Sequence, residues 1–455
     1  MKYRFPLSIY SRLTLVTLLT LILSFLSLGC EDKSEDGSLN AGSSEAGERA
    51  GESSGGAAEA GESGGSTEAG SAEAGESGGT SEAGSHEGPP ELEADPFHFG
   101  PSAVGYQSEE ITYSPDWLPE TRTLRLALWF PAVSASGSGL ARYPLFSTQI
   151  AQADATPRMI DPAPLLVYSH GAKVWPELGS FMAEFFASHG WVVAAVTHAG
   201  DSLGSLSGDR PDELYALRPL DLSAALDYLE QLPADHPLRD RVDTHRAVVS
   251  GHSFGGYTTF VSAGARFDMD HLRNTHCQER GGSLCEALEG ELGSVMEAGL
   301  REPRFLAAIP QSAGNFDFLR GGTSETAIPT LMITATRDQA CTEEGSNQPF
   351  WGALSSVDST HRGQHRRLSF LNAGHATFTM ACVHLPALEQ EDGCGPDFTP
   401  VLEAHQVMLA YSLLFARAYA LGDQSALNIV SSEEGALSDE LEALPNWVEW
   451  LSPSP

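Results

Sequence analysis

Hydrophobic and polar positions fall into two kinds of segment through most of this 455-residue chain. Alternation of apolar and polar residues predicts a strand over 124–130, and short apolar runs predict buried strands over 164–169, 191–196, 246–250, 305–309, 328–334 and 367–371. Apolar residues spaced three and four apart predict helices over 177–188, 220–232 and 401–421. Strands that alternate with helices indicate an α/β fold, in which helices flank a mostly parallel central sheet.

The turn after the apolar run 246–250 has the sequence GHSFGG at 251–256 and precedes a plausible helix. On a sharp turn between a strand and a helix, a base can reach a serine hydroxyl, and backbone N–H groups can point at a developing oxyanion. Glycine at 251 and 255 avoids side chains that would collide with the neighbouring strand and helix. We therefore predict that Ser253 is a nucleophile; a glycine-rich turn around a buried serine is the alternative interpretation.

A catalytic triad on such a sheet runs in the chain order serine, acid, histidine, with the last two on loops after later strands. Asp338 lies just beyond the strand predicted at 328–334, and His375 lies on the loop after the strand predicted at 367–371. Because the C-terminal ends of parallel strands share one edge of a sheet, we expect Ser253, Asp338 and His375 to converge. Other candidates follow a strand less directly: Asp317, Glu343, Glu344 and Asp358 for the acid, and His361, His365, His384 and His405 for the base.

An oxyanion hole on this fold takes one backbone N–H from the residue after the nucleophile and one from a loop after an earlier strand. Phe254 supplies the first donor. The strand predicted at 164–169 is followed by His170-Gly171-Ala172, and its glycine allows the backbone to turn N–H groups inward. We assign the second donor to Ala172, although an ordinary glycine turn after a buried strand would use the same residues.

Several blocks of the chain resemble the bacterial relatives of the platelet-activating-factor acetylhydrolases, a branch of the dienelactone-hydrolase-like α/β-hydrolases. These blocks are PLLVYSHG at 164–171, ASHGWVVAA at 187–195, RPLD at 218–221, which we expect to open a helix, and GHSFGGY at 251–257. The resemblance implies an α/β-hydrolase fold and the same nucleophile, acid, base and oxyanion donors. The pattern of strands and helices leaves an insertion after the nucleophile helix, at about 266–303, where such folds carry lids over the site. His198-Ala199-Gly200 departs from the family pattern, and dienelactone hydrolases proper have cysteine at the position of Ser253.

The N-terminus predicts export. Lys2, Arg4 and Arg12 precede the apolar stretch 13–28, which is shorter than the ~20 residues that span a bilayer as a helix. We therefore predict a signal peptide over 1–29 and lipid attachment at Cys30, with plain cleavage or an uncleaved anchor as alternatives. Residues 30–95 are rich in Ser, Gly, Glu and Ala and predict a disordered tether. The catalytic domain would then be 96–455, in an exported lipoprotein anchored at the periplasmic face or the cell surface.

The charge and the cysteines narrow the chemistry. A formal net charge of −35 argues against nucleic-acid binding, because no basic face could neutralise phosphates. Export permits disulfides, and we predict Cys277–Cys285 and Cys341–Cys382, with Cys382–Cys394 as the main alternative to the second. Neither a C-x-x-C pair nor an H-E-x-x-H motif occurs, so we expect no metal and no other cofactor.

These features together predict a serine ester hydrolase that forms an acyl-enzyme and acts on short-chain carboxylic esters or lactones. Two alternatives remain: a polyester or cutinase-type hydrolase, which shares the mechanism, and a catalytically inactive surface-binding lipoprotein of the same fold. The expected partner is a small ester, with membrane contact only through the N-terminal lipid. We expect a monomer.

Overall fold

The computed structural model describes residues 95–118, 120–203, 212–387, 390–433 and 445–453. The predicted signal peptide at 1–29, lipidation at Cys30 and nearly all of the tether at 30–95 therefore lie outside the described residues. Eleven strands in the described part form one sheet, in the order β11-β10-β9-β8-β7-β5-β6-β2-β1-β4-β3. They are β1 (Ala103–Tyr113), β2 (Arg122–Ala132), β3 (Gly139–Arg142), β4 (Ser147–Ala153), β5 (Ala163–Ser169), β6 (Val192–Thr197), β7 (Val242–His252), β8 (Phe305–Gln311), β9 (Leu331–Ala335), β10 (Arg366–Phe370) and β11 (Val448–Leu451).

The direction of the strands sets where a site can form. Six neighbouring strands, from β10 through β9, β8, β7 and β5 to β6, run parallel. Antiparallel pairs flank them, with β2 against β6 on one side and β11 against β10 on the other. The mostly parallel sheet predicted from the sequence is confirmed, and the C-terminal ends of its six parallel strands share one edge.

The longer helices in the described part cover both faces of this sheet. They are α1 (Ser180–Ser188), α2 (Leu214–Glu230), α3 (Phe254–Ser262), α4 (Ser283–Leu288), α5 (Glu291–Ala298), α6 (Gln348–Leu354), α7 (Val401–Ala416) and α8 (Gln424–Ser431). Short helical segments lie at Pro176–Gly179, Met269–His271, Leu272–His276, Cys277–Arg280, Phe316–Leu319, Arg320–Glu325, Glu343–Asn347, Arg362–Gln364, His375–Phe378, Ala381–His384, Gln390–Cys394 and Arg417–Leu421. No helix among the described residues is both long and apolar enough to cross a membrane.

The core shows why the strands are apolar without interruption. In β5, Leu165 and Val167 pack into a cluster that contains the apolar side of α2, including Leu222. The alternate residues Leu166 and Tyr168 pack into the cluster on the opposite face, which contains α1 and α7. Because successive side chains of a strand point to opposite faces, a strand covered on both faces buries every side chain.

Helix α2 begins six residues earlier than its predicted start at residue 220, because it tolerates Pro219 in its interior. Proline has no N–H and would leave the carbonyl one turn earlier without a donor. That carbonyl belongs to Tyr215, and it accepts a hydrogen bond from the Tyr257 hydroxyl at 3.2 Å. A contact from α3 therefore compensates for the proline, so RPLD at 218–221 does not open the helix as we expected.

The insertion predicted at about 266–303 folds into short helices that pack against the nucleophile helix. Leu288, Leu292 and Met296 of α4 and α5 share a buried cluster with Phe254 and Tyr257 of α3. The predicted Cys277–Cys285 disulfide lies within this insertion, with 5.5 Å between the two Cα atoms.

The predicted Cys341–Cys382 disulfide is wrong, because Cys382 pairs with Cys394 across a Cα–Cα distance of 4.8 Å. The segment Gln390–Cys394 folds back against the turn His375–Phe378, where the Thr377 hydroxyl donates to the Gly393 carbonyl at 3.4 Å. This tertiary contact places Cys394 beside Cys382 and leaves the acid loop and the histidine loop without a direct covalent link through Cys382.

Candidate active site

The strained turn between β7 and α3 presents Ser253. Its φ of 60° and ψ of −120° cost a residue with a side chain of the order of 1–3 kcal/mol. The backbone holds the turn, because the Ser253 N–H donates to the Gln311 carbonyl at 2.9 Å and the Ser253 carbonyl accepts from Gly256 at 2.8 Å. A Cβ at Gly251 would lie 2.4 Å from the Gly255 carbonyl oxygen, and one at Gly255 would lie 2.0 Å from the Ser169 oxygen. Both glycines are required by backbone contacts, and the turn has the geometry of a nucleophile elbow.

The structure brings Asp338 and His375 together. Asp338 follows β9 and His375 follows β10, and the His375 Nδ1–H donates to Asp338 Oδ2 at 2.9 Å. The Asp338 carboxylate is fully buried, whereas the His375 side chain is 13% exposed. Asp338 also accepts from the backbone N–H of Cys341 through Oδ1 at 2.6 Å, which orients the carboxylate toward the ring.

The other candidates make different contacts. Asp317 pairs with His271 and Arg320, Glu343 pairs with Arg367, and Glu344 and Asp358 are exposed. Among the histidines, His361 contacts the Gln364 amide, and His365 and His405 contact backbone carbonyls. His384 stacks on Phe146 with 4.0 Å between the ring centroids. These contacts leave Asp338 and His375 as the acid and base candidates that form a pair.

His252 connects the base to the nucleophile turn. Its ring lies 4.5 Å from the His375 ring between centroids, and its Nε2 donates to the His375 carbonyl at 2.9 Å. Burial, and next to it the nearby His375, holds the pKa of His252 well below its usual value. The ring is therefore neutral at physiological pH and donates through Nε2. Because His252 directly precedes Ser253, this bond fixes the base loop against the elbow.

The two candidate oxyanion donors belong to segments that adjoin Ser253. Phe254 is the first residue of α3, so its N–H has no acceptor within the helix. In the loop after β5, a Cβ at Gly171 would lie 3.4 Å from the Ser253 Cβ, so this loop runs directly beside the serine. His170 Nδ1–H donates to the Gly171 carbonyl at 2.6 Å. Because carbonyl and N–H point in opposite directions across a trans peptide, the Ala172 N–H is turned away from the His170 ring.

A fully buried arginine binds the loop that follows β5. Arg218 of α2 donates to the His170 carbonyl, to Asp201 Oδ2 at 2.5 Å and to the Ser169 hydroxyl at 3.1 Å. Asp201 in turn accepts from the backbone N–H of Lys173 at 2.9 Å. Burial lowers the pKa of Arg218 from its usual value, and Asp201 opposes that shift. Arg218 and Asp201 therefore hold both ends of the segment that carries Ala172.

A second buried layer continues this network. His198 Nδ1 contacts Asp221 Oδ2 at 2.8 Å, and its Nε2 contacts the Ser169 hydroxyl at 2.9 Å. Burial lowers the pKa of His198 to about 3, so the ring is neutral and acts as a hydrogen-bond bridge. Burial works to raise the pKa of Asp221, but a two-point contact with Arg122 at 2.9 Å and the His198 bond lower it overall. Asp221 thus remains an ionised acceptor inside the protein.

Sequence reasoning missed these supporting residues. In the sequence, Arg218 and Asp221 stand out only as part of a block that resembles the family, and His198 only as a departure from the family pattern. The signal in the sequence was polar residues at positions expected to be buried. Arg218 and Asp221 lie in a core-facing helix, and His198 directly follows a buried strand. Asp392, in the segment Gln390–Cys394, carries no such signal in the sequence.

One group of described residues has the composition of a metal site. Ligand atoms of Asp338, Cys341 and His375 lie within 4.8 Å of one another. Asp338 and His375, however, use facing atoms in their mutual hydrogen bond. The Nδ1 atom of His375 and the Oδ2 atom of Asp338 are therefore already engaged with each other.

Comparisons with known proteins agree with the fold. Residues 99–207 match the family described as platelet-activating factor acetylhydrolase, isoform II. A ferulic acid esterase from Streptomyces cinnamoneus superimposes with a TM-score of 0.52 at 22% identity, over 79% of this chain and 98% of that one. The chain thus has an α/β-hydrolase fold, as the sequence predicted.

Two curated relatives are cutinases of Thermobifida alba. Cutinase est2 is 39% identical over 177 residues, which are 39% of this chain and 42% of that protein. Cutinase est1 is 27% identical over 183 residues, which are 40% of this chain and 45% of that protein. The chain therefore spans less than half the length of these relatives. The elbow, the sheet and the superposition together define an α/β-hydrolase fold.

Proposed function

We propose that this protein is a serine ester hydrolase. His375 removes the proton from the Ser253 hydroxyl, and the Ser253 oxygen attacks the ester carbonyl carbon. The N–H groups of Phe254 and Ala172 stabilise the oxyanion of the tetrahedral intermediate. His375 then gives its proton to the leaving alcohol, and water releases the acyl group by the same steps. The observation that carries this proposal is the Asp338–His375 pair, set against a strained serine turn by His252.

In this scheme Asp338 keeps its hydrogen bond with the Nδ1–H of His375. It holds the tautomer of His375 that carries the proton on Nδ1, so that Nε2 acts as the base, and it stabilises the imidazolium that forms. The function does not require a metal or an organic cofactor, since the serine supplies the nucleophile and the histidine carries the proton.

We infer that the substrates are short-chain carboxylic esters or lactones. The match to an acetylhydrolase family over 99–207 supports a small acyl group. A second candidate is a polyester hydrolase, which the similarity to cutinases supports. A panel of p-nitrophenyl esters of increasing chain length, run beside a polyester film, separates the two. A rate that falls with acyl length and leaves the film intact favours the first candidate, whereas release of soluble monomers favours the second.

The test of the function itself is Ser253→Ala. Loss of a triad nucleophile lowers kcat by roughly a thousandfold or more, so we expect hydrolysis near the background rate with unchanged circular dichroism. Ser262→Ala is a matched control, because Ser262 ends the helix that begins directly after Ser253, is fully buried and has a hydroxyl that finds no hydrogen-bond partner among the described residues. A fluorophosphonate should label wild type and the control but not Ser253→Ala. Wild-type levels of hydrolysis in Ser253→Ala would refute the assignment, and the absence of any hydrolysis in wild type would favour a binding protein.

We further propose that the catalytic domain, 96–455, is exported and anchored by lipid at Cys30 after removal of residues 1–29. The positive N-terminal residues, the short apolar stretch and Gly29-Cys30 support this reading. Residues 30–95 would then serve as a tether. The ester substrate would be the partner of an otherwise monomeric enzyme.

A further inference from the structure

Asp392 contributes a second carboxylate to the surroundings of His375. Its Oδ1 accepts hydrogen bonds from the backbone N–H of His375 at 2.8 Å and from that of Gln339 at 3.1 Å. Gln339 directly follows Asp338. A single carboxylate oxygen therefore joins the loop that carries the proposed acid to the loop that carries the proposed base.

The surrounding structure places Asp392 with little freedom. The Cys382–Cys394 disulfide closes its loop two residues further on, and the Gln339 side chain donates to the Glu391 carbonyl. Gly374 lets the loop lie directly against the turn of His375, since a Cβ there would be 2.5 Å from the Asp392 carbonyl carbon. The disulfide therefore joins the base loop to a segment that itself binds the acid loop.

The charge of Asp392 also acts on His375. Burial raises the pKa of Asp392, the nearby His375 opposes that shift, and Asp338 adds to it. Other titratable or charged groups near these loops are His252, whose ring contacts His375, and Arg337, which donates to the Asp397 carbonyl at 2.9 Å. An ionised Asp392 favours the protonated form of a neighbouring imidazole.

We propose that Asp392 is a positioning residue of the catalytic centre. Through two backbone N–H groups it sets the separation between the acid and the base, and its negative charge stabilises the imidazolium that His375 becomes when it takes the Ser253 proton. The inference rests on the proposed function, because it assigns a role within the same proton transfer.

Three variants separate geometry from charge. Asp392→Asn keeps an oxygen that can accept both hydrogen bonds but removes the charge, whereas Asp392→Ala removes both. Glu391→Gln is the matched control, since it removes one charge from the exposed neighbouring side chain. For each variant, kcat and KM are measured with a p-nitrophenyl ester across the acidic and neutral pH range. The titration of His375 is followed by NMR with 13C-labelled histidine, and His375→Gln identifies its resonance.

We expect Asp392→Ala to lower kcat about tenfold or more and Asp392→Asn about threefold, with KM nearly unchanged, because a displaced base loses alignment with the nucleophile. In both variants the acid limb of the pH profile and the His375 titration should move to lower pH, because a negative charge has been removed. Glu391→Gln should match wild type. A purely structural role would reduce the folded fraction without moving the acid limb.

Two results would overturn the proposal. The first is an Asp392→Asn variant with the kcat and the acid limb of Glu391→Gln. The second is an unchanged His375 titration in Asp392→Asn. The NMR titration tests the effect of Asp392 on His375 even if wild type shows no hydrolysis that depends on Ser253. The absence of such hydrolysis would refute the proposed function, not the electrostatic effect of Asp392.

Discussion

Replacement of Arg218 by methionine should test the buried network beneath the oxyanion loop. Arg218 is fully buried and donates to Asp201, Ser169 and the His170 carbonyl, and a further bond runs from its Nε to the Thr258 hydroxyl at 3.1 Å. Arg218→Met keeps the length of the side chain but leaves the Asp201 carboxylate buried without its partner. Loss of one member of a buried ion pair costs about 3–5 kcal/mol.

Two further variants give this prediction its controls. Arg239→Met removes a surface arginine whose partner, Asp240, has an 84% exposed side chain, so it should cost about 0–1 kcal/mol. Asp201→Asn in the Arg218→Met background removes the stranded charge but keeps an acceptor for Lys173, and should recover roughly 1–2 kcal/mol. The free energy of unfolding is measured in urea, and the four variants of Arg218 and Asp201 form a double-mutant cycle.

The same variants should affect catalysis. Arg218 and Asp201 contact the loop that carries the Ala172 N–H. Loss of one oxyanion donor lowers kcat about 100–1000-fold, so displacement of this loop in fully folded Arg218→Met should lower kcat about tenfold or more. A loss of stability below about 1 kcal/mol would refute the electrostatic argument. A fully folded Arg218→Met with wild-type kcat would show instead that the loop does not depend on the arginine.

Three further predictions concern the loops and the N-terminus. Gly374→Ala should lower both stability and kcat, because its Cβ would lie 2.5 Å from the Asp392 carbonyl carbon. Thermal unfolding measures the stability and ester hydrolysis measures kcat. Wild-type values for both would contradict the close approach. Cys394→Ser removes the disulfide to Cys382, which spans a sequence separation of 12 residues, and should lower the free energy of unfolding by about 3 kcal/mol through loop-closure entropy. We also expect kcat to fall at temperatures where circular dichroism is unchanged. Activity lost only together with the fold would argue that packing alone holds the base loop. Cys30→Ala should release the protein from membranes after fractionation, and equal membrane retention of a processed Cys30→Ala protein would exclude lipid attachment at this residue.

The amino-acid sequence determined the features that depend on local periodicity and on order along the chain. Apolar runs predicted the central strands because a strand covered on both faces needs no polar positions. The sequence GHSFGG at 251–256 predicted the turn at Ser253, since backbone sterics at glycine act over a few residues. Asp338 and His375 could be selected over other acids and histidines because loops after neighbouring parallel strands meet at one edge of the sheet.

Only the tertiary structure decided which distant groups touch. The Cys382–Cys394 pairing and the position of Asp392 depend on how one loop packs against another. The entropy cost of closing a loop changes only slowly with its length, so the sequence does not show which cysteines or loops meet. The interior position of Pro219 depends on Tyr257 of another helix reaching the Tyr215 carbonyl. Nothing in the residue type distinguishes a solvated aspartate from a buried one. The contacts of Asp201, Asp221 and Asp392 therefore follow from the packing around them. This packing excludes water and lowers the local dielectric constant, which strengthens hydrogen bonds and charge–charge interactions.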